Sequence, residues 1–74
     1  MAFNYSKLKG RIIEKYGSQS KFALAMGISE RTLSNKMQSK IPWKQPEILS
    51  AIKLLGLSES DIQEYFFKVE VQNI

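Results

Sequence analysis

The stretch AMGISERTLSNKM, residues 25–37, limits the fold of this chain more than any other feature. Apolar residues recur with a helical period on both sides of it, and between them stand a glycine, an isoleucine and a serine. Glycine enters the left-handed region without the β-carbon clash that other residues meet, so Gly27 marks where one helix stops and the chain turns. Ile28 plugs the corner, and Ser29 offers its hydroxyl oxygen to the orphan amides of the next helix. The spacing predicts two short helices over 19–25 and 30–38. Phe22, Ala23 and Met26 form the inner side of the former, and Leu33 with Met37 that of the latter.

The flanks read as helix too. Leu8, Ile12 and Tyr16 recur at i, i+4, i+8 and predict a first helix over 5–16, capped by Asn4 or Ser6 and closed by Gly17. Gly10 within it costs roughly 1 kcal/mol relative to alanine, so packing must hold the segment. Ser18 opens the second helix, Pro42 and Pro46 mark a connection and a helix start, and Ile48, Leu49, Ile52 and Leu55 carry a fourth helix to Gly56. Ser58 and Asp61, spaced as a capping box, precede Ile62, Tyr65 and Phe66 in a fifth. Only the tail KVEVQN alternates as a strand does. The expected architecture is all-α, one compact five-helix domain over 1–74, with its core in about 5–67 and a tail from 68 to 74. Seventy-four residues leave room for no second core.

Absences narrow the chemistry. The chain has neither cysteine nor histidine, so disulfides, thiolate metal sites and the usual zinc and iron ligand sets are excluded. Catalysis would ask for an activated nucleophile, a metal cluster or a glycine-rich phosphate loop, and a pair such as Ser20-Lys21 is too common to count. We therefore expect no enzyme, no metal, no cofactor and no small-molecule substrate. Nothing resembles a secretory signal or the roughly 18 apolar residues of a membrane span, so no membrane role is expected.

Charge is segregated. Residues 1–45 carry nine Lys/Arg against two acids, a net +7, whereas residues 46–74 carry two against five, a net −3. A field of this kind turns the basic end toward a polyanion, of which nucleic acid is the commonest inside cells. On the third helix, Arg31, Ser34, Asn35 and Gln38 fan across about 100° of the outer side, with Glu30 at the edge. Arginine and asparagine match the donor and acceptor patterns of base edges in a major groove.

The pattern Gln19-x-x-Phe22-Ala23-x-x-x-Gly27-Ile28-Ser29-x-x-Thr32-Leu33-Ser34 resembles the helix-turn-helix of the lambda-repressor-like (XRE/Cro/CI) phage regulators. The resemblance is strong over 18–40 and loose across the five-helix plan. The whole is similar to small Cro-like or repression-modulator proteins of temperate phages of Gram-positive bacteria. It implies a transcriptional regulator in the host cytoplasm that reads operator DNA as two copies. Gln19 then matches a backbone-contacting glutamine, and Glu30, Arg31, Ser34 and Asn35 match base-reading positions. Gln38, Lys40, Trp43 and Lys44 match the loop that nears phosphates, with Trp43 also readable as a cap on the core that contributes the loop's fixed shape, while Lys21 belongs to a flanking basic face with Lys7, Lys9 and Arg11. Glu30 departs from the glutamine often found there, and a carboxylate is repelled by phosphates unless it accepts from cytosine N4 or pairs with Arg31. Tyr65, Phe66, Phe67, Val69 and Val71 are the candidate dimer or partner surface. The alternative function is an antirepressor or modulator that binds a cognate phage repressor through protein contacts, its acidic half and terminal aromatics facing a basic partner.

Overall fold

Leu8 and Ile12 are fully buried, as their spacing requires, on the inner side of α1 (Ser6–Tyr16). The computed structural model describes residues 3–69, and the chain continues through α2 (Gln19–Met26), α3 (Glu30–Met37), α4 (Gln45–Leu54), a 3-10 turn (Glu59–Asp61) and α5 (Ile62–Phe66). Among the described residues the fold is all-α. Its radius of gyration, 11.8 Å, is close to the roughly 11 Å of a packed chain of this length.

Short polar side chains set where the helices begin. Asn4 Oδ1 accepts from the Ser6 amide at 2.9 Å, Ser18 Oγ from Lys21 at 3.2 Å and Ser29 Oγ from Thr32 at 3.1 Å. The Glu47 carboxylate accepts from the Lys44 amide at 2.8 Å at the start of α4, with Pro46 in the first turn. Each contact satisfies an amide that lacks a helical partner, and each contributes about 1 kcal/mol.

Three helices end in the same way. The Gly27 and Ile28 amides bond to Leu24 and Ala23 carbonyls, a Schellman motif that closes α2, and the same pair of bonds recurs at Gly56 and Leu57 after α4. At the end of α3 the bonds run from Ser39 to Lys36 and from Lys40 to Asn35, with Ser39 in the left-handed position at φ +61°. A serine there performs a glycine's task, at a cost of about 1–2 kcal/mol in β-carbon crowding.

The core draws on all five helices: Leu8, Phe22, Leu33, Ala51, Leu55 and Phe66 are each at most 1% exposed. Ala23, also 1% exposed, leaves room where α2 meets its neighbours. The Tyr16 hydroxyl and Arg11 Nε donate to the Leu54 and Leu55 carbonyls, at 3.2 and 3.0 Å, and so pin α1 to the carbonyl end of α4.

Some expectations need correction. The Ser58–Asp61 box is present, the Ser58 amide donating to Asp61 Oδ2 at 3.0 Å, but it holds the 3-10 turn, and the α-helical part that follows has only five residues. Of the alternating tail, only its start lies among the described residues: Val69 bridges antiparallel to Phe3, and the Asn4 amide donates to the Lys68 carbonyl at 2.7 Å. Val71 lies outside the described residues.

Candidate functional site

Two surfaces stand out, and the first is the outer side of α3. Glu30 and Arg31 are exposed and Ser34 and Asn35 half-buried, with Gln38 exposed beyond the helix end. Gln38 Nε2 donates to Ser34 Oγ at 3.0 Å, a bond that fixes both side chains along one edge of the helix. Gln19, from the start of α2, shares with Ser34, Gln38 and Lys9 a polar groove of about 510 Å³ between α1, α2 and α3. The turn at residues 27–29 thus brings together positions that are distant in sequence. Lys21, Lys40 and Lys44 are exposed around this side. Glu30 has a local reason to exist, because a carboxylate in the first turn offsets the positive end of the α3 dipole.

Not every expected contact points outward. Trp43 is half-buried against the core, its ring edge-on to Phe66 at 5.0 Å, and its Nε1 is buried with no acceptor among the described residues. An indole N–H enclosed in this way does not reach a phosphate. The basic half is also less free than its residue count suggests. Lys7 pairs with Glu64, Arg11 with Glu14 and Lys36 with Glu47.

Lys36 is the residue that sequence reasoning missed. It is 2% exposed, and its Nζ donates to Glu47 Oε1 at 2.8 Å and to the Pro42 carbonyl at 3.1 Å, under the Trp43 ring with 5.8 Å to the centroid. Burial pushes the Glu47 carboxyl up, but the Lys36 bond, the Lys44 amide and the charges of both lysines outweigh it, leaving the group below its ordinary value. A signal was available. Leu33, Lys36 and Met37 fall at i, i+3, i+4, which places the lysine on the inner stripe.

The second surface is aromatic and apolar. Phe3, Phe67 and Val69 are 36%, 39% and 44% exposed, and the Phe3 ring meets Phe67 edge-on at 5.7 Å while its backbone bridges to Val69. Tyr65 is half-buried, with Lys7 Nζ 5.0 Å from its ring centroid. Phe66 does not belong to this surface: it is 1% exposed and fills the core. Two grooves flank Trp43. One, of about 200 Å³, runs between Phe3, Tyr5, Trp43 and Phe67, and the other, of about 360 Å³, runs between Trp43, Leu49, Ile62 and Phe67. The apolar surface therefore continues from the N-terminal segment at Phe3 to α4.

Among the described residues no cluster of acidic side chains could hold a metal ion, and no helix is long and apolar enough to cross a membrane. A family described as proteins of unknown function (DUF739) matches residues 1–69. No curated protein matches the sequence. Among solved structures, the solution structure of the modulator of repression (MOR) of the temperate bacteriophage TP901-1 from Lactococcus lactis is similar, with 50% identity over 97% of each chain and a TM-score of 0.81.

Proposed function

The chain belongs to the DUF739 family, and from that premise we propose that it is a phage regulatory protein that modulates repression by binding a phage repressor. The observation that carries this reading is the likeness to the TP901-1 modulator of repression, which at 50% identity extends over 97% of both chains. The surface that we assign to the contact is the aromatic one. Phe3, Phe67 and Val69 present an apolar patch bordered by two grooves, and exposed aromatics at the mouth of a pocket are the usual anchors of a protein interface. Glu59 and Asp61 lie on the 3-10 turn that leads into α5 and suit a basic partner, as a DNA-binding repressor is.

Operator binding by α3 is the second reading, and one observation favours it. Gln19, Ser34 and Gln38 line one groove, and Arg31 extends outward on the same helix, as a helix-turn-helix that reads a major groove requires. Two observations weigh the other way: Glu30 places a carboxylate at the end of α3 that would enter the groove, and the Trp43 N–H is enclosed.

A gel-shift titration separates the two. On the modulator reading the protein alone leaves operator DNA unshifted, and adding it to the cognate repressor changes or abolishes the repressor's own shift. On the operator reading the protein alone shifts the DNA, with log affinity falling against log salt at about −0.9 per phosphate contacted. That result, with the repressor's shift unaffected, would overturn the proposal.

A further inference from the structure

We propose that buried Lys36 is a positioning residue for the docking surface: its charge, placed inside the fold, fixes the Trp43 ring and thereby the shape of both grooves beside Phe67. This rests on the reading of the aromatic face as the repressor contact.

Three observations converge on it. Lys36 touches three different parts of the fold at once: it is anchored in α3, it donates to Pro42 in the connecting loop, and it donates to Glu47 in the first turn of α4. Trp43 follows Pro42 directly and forms a wall of both grooves. Among the described residues the ring has no hydrogen bond to orient it, since Nε1 is buried without an acceptor there. What holds it is the ammonium group near its face and the edge of Phe66.

Stability alone does not account for the lysine. Replacing a buried ion pair with apolar side chains of similar volume is commonly neutral or stabilising. Position 36 lies between Leu33 and Met37 on the inner side of α3, where an apolar residue would pack. The charge supplies directed bonds, and these bonds end at the backbone carbonyl next to Trp43. Methionine at position 36 would fill the volume and leave that carbonyl unbound.

The chain contains one tryptophan, so fluorescence excited at wavelengths beyond tyrosine absorption reports on Trp43 alone. Wild type, Lys36→Met and Glu47→Gln are compared at a temperature where urea titration shows each to be almost fully folded. Trp43 emission, acrylamide quenching and affinity for the cognate repressor are measured. The proposal expects both variants to move the emission maximum and raise quenching, and Lys36→Met to weaken repressor binding at least tenfold while folded. A purely stabilising Lys36 would leave the affinity of the folded variant unchanged, and that result, or an unaltered Trp43 signal in both variants, would overturn the proposal. If wild type itself does not bind repressor, the functional reading fails, whereas the fluorescence arm still decides whether Lys36 positions the ring.

Discussion

Removing the two partners of the Lys36–Glu47 pair should have unequal consequences, with the acid the costlier to lose. Glu47→Ala leaves an ammonium group that is 2% exposed with only the Pro42 carbonyl and the face of Trp43 for company. Breaking a buried pair from one side costs about 3–5 kcal/mol, and the 22% exposure of the Glu47 side chain argues for the lower end of that range. Loss of the contact to the Lys44 amide adds to it. Lys36→Met instead leaves a carboxylate that is partly hydrated and still accepts from Lys44, with the lysine's volume refilled, so the change should be about 0–1.5 kcal/mol. The separation, roughly 2 kcal/mol, corresponds to about 10 °C in the unfolding midpoint of a domain this small. Urea unfolding followed by far-ultraviolet circular dichroism at pH 7 measures it. The sign with pH follows from the depressed Glu47 carboxyl, whose ordinary value is 4.5. Its stabilisation is complete above that value and is lost as the pH falls through the lower, folded-state value, so wild type and Glu47→Gln should converge in acid. A Lys36→Met variant as destabilised as Glu47→Ala would show that the two partners are not unequal in this way.

Three further outcomes are expected. Ser39→Gly should raise stability by about 0.5–1 kcal/mol, because it removes β-carbon crowding at φ +61° at some entropic cost; thermal denaturation checks it, and a loss of stability would show that the serine side chain contributes more than its backbone strain. Gly27→Ala should destabilise by about 1–2 kcal/mol through φ +77° alone, since a β-carbon built there meets nothing within 4 Å, and a neutral result in urea titration would mean the turn tolerates another geometry. Phe67→Ser should reduce repressor affinity at least tenfold in a calorimetric titration while costing about 1–2 kcal/mol of stability, because the side chain is 39% exposed and meets Phe3 edge-on; unchanged affinity would remove it from the interface.

Much of the fold could be read from periodicity and caps. Leu8 with Ile12, Gly27 after a helical stripe, and Ser29 before Leu33 each have a local physical meaning that the structure repeats. The fifth helix was less legible, because the Ser58–Asp61 box stabilises a 3-10 turn as readily as an α-helical one. The site divides along the same line. That α3 exposes Glu30 and Arg31 follows from rotation along one helix, whereas the half-burial of Asn35 and the grouping of Gln19 with Ser34 and Gln38 depend on how the neighbouring elements pack around it. Phe66 and Phe67 are neighbours of the same type, yet one fills the core and the other is partly exposed, since Phe66 is the last residue of α5 and Phe67 leaves the helix at its cap. Lys36 was hidden by its own chemistry: a lysine counts as surface charge until a carboxylate from another helix is shown to meet it.

The most direct test is a nuclear magnetic resonance titration of the isotopically labelled chain with its cognate repressor, followed by a parallel titration with operator DNA. The account predicts that repressor shifts the amides of Phe3, Phe67 and Val69 and the indole N–H of Trp43, and that operator DNA added alone leaves α3 undisturbed. Shifts confined to Arg31, Ser34 and Asn35, produced by operator DNA and not by repressor, would contradict it.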